Sequence, residues 1–253
     1  MEKKKGSSMT EAVLILGATS AIARATAVAF AARGNTLYLA SRDEDELRRI
    51  AADIYLRYGV NVYYGLFDAA ATDTHEKFFK SVVAIMPDLS GVVLAFGYLG
   101  DQHAARDFSA GAKIIAANFT GAASILSLCA NHFEALQRGF IIGISSVAGD
   151  RGRQSNYMYG AAKGALSLYL QGLRNRLYSS GVRVITVKPG FVDTAMTYGL
   201  PGLFLVASPQ NIGERIVRSL DKSADVVYLP WFWRYIMLII KHIPEPIFKR
   251  MKL

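Results

Sequence analysis

A single cysteine, Cys129, in 253 residues leaves no material for a disulfide framework or a multi-cysteine zinc site. The four histidines, His75, His103, His132 and His242, are scattered, with no HExxH and no partner cysteines, so no metal site is expected. Charged residues are sparse, at 19% against 52% hydrophobic, which excludes intrinsic disorder. No uninterrupted run of 18 apolar residues occurs, so no segment reads as a bilayer-spanning helix. Nor does an apolar stretch with a cleavage site follow Lys3, Lys4 and Lys5; a cytoplasmic location is expected. Repeats, low-complexity tracts and an interdomain linker are also lacking. The length suits one large α/β domain and is short for two.

Positive charge is what the chain has in excess. The net charge is +9, gathered at the ends, with Arg234, Lys241, Lys249, Arg250 and Lys252 in the last stretch. Such a balance suits anionic partners: nucleic acid, a membrane surface or a phosphate-bearing small molecule. Basic residues interleaved with aromatics in a groove-like pattern are missing, so nucleic acid is not expected. The expected organisation is a flexible leader over 1–10, one α/β domain over 11–230, and a basic amphipathic segment over 231–253.

Short apolar runs alternate with helix-length segments. Strands are expected at Ala12–Leu16, Thr36–Ala40, Val60–Leu66, Gly91–Phe96, Phe140–Ser145, Arg183–Val187 and Val226–Leu229. Helices are expected near 20–33, 43–58, 72–85, 107–137, 156–179 and 208–221. Continuous Val/Ile/Leu strands suit a parallel sheet buried on both faces. The β-α-β-α order predicts a doubly wound (Rossmann) seven-stranded sheet with helices on both faces. Ligands in such sheets bind beyond the carboxyl ends of the strands.

The first strand runs into LGATSAIARATAVAF. Gly17 permits a tight turn, and the backbone of Thr19, Ser20 and Ile22 opens a helix whose free N–H groups can hold a pyrophosphate. Ala21 and Ala23 stand where such motifs usually have glycine. After the second strand, Ser41 and Arg42 replace the acidic residue that would bind a ribose 2′-hydroxyl; an arginine there suits a 2′-phosphate. NADP is therefore preferred over NAD. The alternative is that Arg42 merely caps a charged, solvated helix start with Asp43, Glu44 and Asp45. Asp68, closing the third strand, is placed to accept from the adenine amino group, or is an ordinary N-cap.

The fifth strand leads to Ser146, and 13 residues later Tyr159 begins a Tyr-x-x-x-Lys pair with Lys163. That spacing stacks both side chains on one helix face. A free phenol has a pKa of about 10, too high for proton exchange near neutrality. A neighbouring ammonium stabilises the phenolate and makes the tyrosine a usable general acid/base. Ser146 can donate a hydrogen bond to a substrate carbonyl. Asn118, a poor helix former inside the long fourth helix, is read as kinking it and holding a water that links Lys163 to solvent.

With these residues in order, the chain resembles short-chain dehydrogenases/reductases over essentially its whole length. The resemblance implies a tetrad of Asn118, Ser146, Tyr159 and Lys163, and hydride transfer from a nicotinamide to a carbonyl with Tyr159 as general acid. It implies that Lys163 also binds the nicotinamide ribose and that Pro189, Gly190, Val192 and Thr194 hold the carboxamide. After the fourth strand the family's Asn-Asn-Ala-Gly is replaced by LAFG, with only Gly97 kept. LAFGYLGDQ, NYMYGAAKGAL and the ending RYIMLIIKHIPEPIFKR are similar to the decaprenylphosphoryl-2-keto-ribose reductase branch. That likeness implies a polyprenyl-phosphate-linked keto sugar as substrate, and a cell-envelope role.

The ending contains WFWRYIMLIIKHI before Pro244. Thirteen helical residues reach about 20 Å, short of the ~30 Å bilayer core. Arg234 and Lys241 share one face, and Trp233, Ile236, Met237, Ile239, Ile240 and Ile243 cover most of the rest. This pattern fits an interfacial helix on anionic headgroups, peripheral at the cytoplasmic face, or a helix packed on its own sheet or a subunit interface. The apolar loop 195–208 is read as a substrate lid, with Leu200, Leu203, Phe204 and Leu205 around an isoprenoid stem. A homo-oligomer is expected. Two other functions remain open: reduction of a diffusible steroid, acyl or sugar carbonyl, and dinucleotide sensing without turnover.

Overall fold

The computed structural model describes residues 11–199 and 204–251. Seven parallel strands form one sheet in the order β3-β2-β1-β4-β5-β6-β7. They are β1 (Ala12–Leu16), β2 (Thr36–Ser41), β3 (Val62–Leu66), β4 (Leu89–Leu94), β5 (Phe140–Ile144), β6 (Arg183–Pro189) and β7 (Val226–Leu229). Every residue of β1 and β5 is buried, as continuous apolar strands in the middle of a doubly wound sheet require. The outer strands differ. Tyr63, Tyr64 and Leu66 of β3 and Val226 of β7 are exposed, because each edge strand has a neighbour on one side only.

Helices cover both faces. On one side lie α1 (Ala21–Ala31), α2 (Glu44–Tyr58) and α7 (Pro209–Arg218), whose Phe30, Leu47, Ile54, Ile212 and Ile216 pack on Val13 and Ile15. On the other lie α3 (His75–Ile85), α5 (Gly121–Leu136) and α6 (Tyr157–Leu177), which pack Phe79, Phe133, Leu166 and Leu170 on Leu14 and Leu16. The strand order reverses between β1 and β4, and that switch point opens a crevice at their carboxyl ends.

Several boundaries differ from those expected: β2 runs on to Ser41, β4 starts at Leu89, β5 stops at Ile144 and β6 reaches Pro189. The third strand starts at Val62 rather than Val60. The fourth ends at Leu94, where pairing with β5 stops; Ala95 keeps one bond, to the Leu16 carbonyl at 2.9 Å. The helix expected over 107–137 is α4 (Phe108–Ile115), a π-turn at Ala116–Thr120 and α5. Phe108–Leu136 is long and apolar enough to cross a membrane by length and composition. Its Ile125, Leu126, Cys129 and Phe133 are instead fully buried against the sheet. Two further helices end the described chain, α8 (Trp233–His242) and α9 (Glu245–Phe248).

Candidate active site

The turn after β1 is tight for a steric reason. Gly17 sits at φ +81°, and a Cβ there would fall 2.7 Å from the backbone of Phe96. Ser20 caps α1, its hydroxyl accepting from the Ala23 N–H at 3.3 Å. Ile22 is half-buried one residue into the helix, and Ala21 and Ala23 fit without disturbing it. Thr19 and Ser41 exchange a hydroxyl hydrogen bond of 2.8 Å, which fastens this turn to the end of β2.

Arg42 stands beside that pair, exposed and without a salt bridge among the described residues. It does not cap the following helix; Asp43 does, accepting from the Glu46 N–H at 3.0 Å. Asp68 lies past β3 with its carboxylate exposed. It is no helix cap either: its Oδ1 accepts from Ala70 N–H in a local turn, while the 3-10 turn begins at Thr72.

On the other side of the crevice, Tyr159 and Lys163 lie one turn apart on α6, both buried. Lys163 Nζ donates to the Ile144 carbonyl at 3.1 Å and lies 5.9 Å from the centre of the Tyr159 ring. Burial pulls the Lys163 pKa down to about 8. It also pushes the Tyr159 phenol up to about 12, with the Ser146 hydroxyl partly offsetting the rise. The phenol is therefore raised rather than depressed, contrary to the expectation drawn from its lysine neighbour, because burial dominates. Ser146 Oγ accepts from the Ala148 N–H at 3.1 Å, which leaves its own O–H free to donate.

Asn118 occupies the π-turn and is 1% exposed. Its Nδ2 donates to the carbonyls of Tyr98 and Ile114 at 2.7 and 2.8 Å, and its Oδ1 accepts from the Tyr98 N–H at 3.2 Å. The side chain therefore bends the helix, as expected, and clamps the segment after β4. A Cβ on Gly97 would fall 3.1 Å from Asn118 Oδ1 and 3.3 Å from Lys163 Nζ. Glycine keeps that space open beside the lysine.

The turn after β6 brings the remaining residues near. Pro189 and Val192 are buried, Gly190 and Thr194 half-buried, and the Thr194 N–H donates to Thr197 Oγ1 at 3.2 Å. Val192 pairs with Ala207, which ties together the chain on either side of the loop 195–206. Phe204 packs edge-on against Phe191, yet it and Leu205 remain about half exposed. Leu200 and Leu203 lie outside the described residues. A cavity of 730 Å³ lies elsewhere, between α1, α2 and α7. Its arginines Arg24, Arg33, Arg57 and Arg218 are each paired with a carboxylate.

A short chain dehydrogenase family profile matches residues 11–201. The chain belongs to the short-chain dehydrogenase family. It is thus an oxidoreductase of a family whose fold and motif order it shares. An uncharacterized oxidoreductase of Mycobacterium tuberculosis is 34% identical over 240 residues, covering 94% of this chain and 96% of its own. Another, from Streptomyces coelicolor, is 34% identical over 254 residues, covering 98% of each. Among solved structures, a short chain dehydrogenase from Burkholderia cenocepacia in complex with NADP superposes with a TM-score of 0.79 at 19% identity, covering 94% and 96% of the two chains.

Three residues of this short-chain dehydrogenase escaped the motif reading. His75, fully buried, bridges the Asp68 carbonyl at 3.0 Å and Ser124 of α5 at 2.9 Å, so it holds the segment that carries Asp68. Trp233 packs against Gly190, and Arg151 binds the end of α8. Only the adjacency of Arg151 to the Ser146 loop could have marked it; the other two left no local signal.

Proposed function

We propose that this short-chain dehydrogenase is an NADPH-preferring reductase of a keto group on a polyprenyl-phosphate-linked sugar, peripheral at the cytoplasmic face of a membrane. The reductase reading is carried by the convergence of Ser146, Tyr159, Lys163 and Asn118 at the carboxyl ends of β4 and β5. The residues present fit a dinucleotide. Gly17, Thr19, Ser20 and Ile22 would hold the pyrophosphate, Ser41 and the unpaired Arg42 the 2′-phosphate, and Asp68 the adenine. Gly97, Asn118, Tyr159, Lys163 and the Pro189, Gly190, Val192 and Thr194 segment would surround the nicotinamide half. Held there, a reduced nicotinamide would supply the hydride chemistry.

The chain's own residues handle the oxygen. The free O–H of Ser146 donates to the carbonyl oxygen and orients it. Tyr159 Oη gives that oxygen its proton as negative charge develops. Lys163, anchored by the Ile144 carbonyl, keeps further N–H groups to stabilise the phenolate left behind. Asn118 holds the π-turn through which a water can return a proton to Lys163.

The lipid part of the reading is supported by exposed apolar surface near the site. Phe204, Leu205 and Val206 of the lid are exposed. So are Trp231, Tyr235, Leu238 and Ile239, beside the exposed Arg234 and Lys241. Aromatic and aliphatic side chains flanked by cations suit the headgroup boundary of an anionic bilayer. The apolar lid by itself also suits a diffusible steroid or acyl ketone, which is the second reading. NADPH oxidation on a polyprenylphosphoryl 2-keto-pentose in detergent, compared with the free 2-keto-pentose, separates them. A KM at least about tenfold lower for the lipid-linked ketone is expected, equivalent to a buried apolar contact of about 1.4 kcal/mol. Turnover on free ketones alone would replace this reading with the second.

A further inference from the structure

The loop that follows Ser146 is anchored on two sides. Toward the sheet, Asp150 accepts from Lys188 Nζ and from Tyr228 Oη, the latter at 2.7 Å. Toward the end of the described chain, Arg151 Nη1 reaches the carbonyls of Ile240, Lys241 and Ile243 at 3.0, 2.9 and 2.7 Å. Its Nη2 donates to Glu245 Oε2 at 2.8 Å, and the guanidinium lies 3.9 Å from the centre of the Phe248 ring. A cation at this place satisfies the Lys241 and Ile243 carbonyls, shares the Ile240 carbonyl with the Ile243 N–H, and meets the negative end of the α8 dipole. Further along the same loop, Gln154 Nε2 donates to the Met251 carbonyl at 3.3 Å.

On its near side Ser146 is fixed through Ser145, whose N–H donates to the Val187 carbonyl at 2.8 Å and whose hydroxyl donates to the Lys163 carbonyl at 2.9 Å. On its far side its carbonyl accepts from the Gly149 N–H within the loop at 3.1 Å. The Ser146 backbone is extended, at φ −166° and ψ 154°, and its side chain accepts a single hydrogen bond, from Ala148 within the loop itself. Val147, the next residue, packs in one cluster with Trp233 and Met237 of α8. The same helix therefore touches the chain on one side of Ser146 through Val147 and Arg151, and the turn at Gly190 through Trp233.

We infer that Arg151 is a positioning residue, through which the segment 233–251 holds Ser146 at the angle needed to orient the carbonyl. This rests on the reading of Ser146 given above. Charge-assisted bonds shared among several acceptors hold more firmly than an exposed ion pair. A displacement of about 1 Å at a residue orienting substrate is enough to slow turnover severalfold to a hundredfold.

Amide hydrogen exchange and turnover of the full chain test it together. In Arg151→Ala, exchange over 146–156 should quicken about tenfold along with 240–248, with β1 and β5 unchanged. On the lipid-linked ketone, kcat should fall about tenfold with KM little altered. Arg151→Lys keeps a cation for the three carbonyls and should restore part of both. Glu245→Gln loses only an exposed pair and should match the wild type. Faster exchange confined to 233–251, with 146–156 and kcat as in the wild type, would overturn the inference. If Arg151→Ala does not fold, Arg151→Lys decides: quicker exchange over 146–156 supports it, unchanged exchange there sinks it. Lack of turnover by the wild type would count against the functional reading, while exchange would still decide this one.

Discussion

The indole of Trp233 fills the space in front of Gly190: a Cβ on that glycine would fall 1.9 Å from Trp233 Nε1 and 2.0 Å from Cε2. A bare backbone on one side and a fully buried ring on the other lock α8 against the turn after β6. The inner face of α8 is thus part of the domain. Gly190→Ala should cost about 2 kcal/mol by overpacking and lower Tm by roughly 4–8 °C. Trp233→Leu in the same chain should recover part of the loss. A Tm unchanged in Gly190→Ala would show that the contact is loose.

Arg42 has no carboxylate to satisfy among the described residues, and it follows the Thr19–Ser41 hydroxyl pair. Its guanidinium is therefore free for a phosphate. Arg42→Ala should weaken NADPH binding by about tenfold or more, the worth of a charge-assisted hydrogen bond, and leave NADH nearly untouched. Fluorescence titration of both cofactors reads the difference. Equal losses would remove the reason for preferring NADPH.

Acidity sets a third expectation. Lys163 has its pKa lowered to about 8 by burial, so its charge is present below that pH and lost as pH rises through it. Tyr159, pushed up to about 12, stays protonated over the same range. Reduction should hold steady up to about pH 8 and decline above it, as the ammonium that stabilises the phenolate disappears. A kcat that stays flat to about pH 10 would place the controlling proton elsewhere.

Much of this was legible because its causes are local. Parallel central strands read as unbroken apolar runs, and Tyr159 and Lys163 face the same way because they are four apart on one helix. Asn118 could be picked out as a misfit in a helix, although its binding of the Tyr98 backbone could not. Arg151 was hidden because three of its partners are backbone carbonyls 89 to 92 residues away, which leave no trace in side-chain pattern, and the others, Glu245 and Phe248, lie as far off. The C-terminal helix posed a choice between internal packing and membrane contact. The structure divides it by face: Trp233 and Met237 are buried within the domain, while Tyr235, Leu238 and Ile239 point outward.

That division dictates how membrane contact should be tested. Deleting 231–253 would remove buried Trp233 and unfold the site, so the outer face must be changed alone. Leu238→Glu with Ile239→Glu should abolish flotation with anionic liposomes and leave Tm within about 2 °C, as exposed substitutions do. Flotation undiminished in this variant would sink the interfacial reading.

The most direct measurement is NADPH oxidation on the polyprenylphosphoryl 2-keto-pentose by the wild type and by Tyr159→Phe, which keeps the ring and removes only the proton donor. Wild-type turnover that drops by about a hundredfold or more in Tyr159→Phe, with NADPH affinity unchanged, is the predicted result. Equal turnover by both proteins, or none by a wild type that still binds NADPH, would contradict the account.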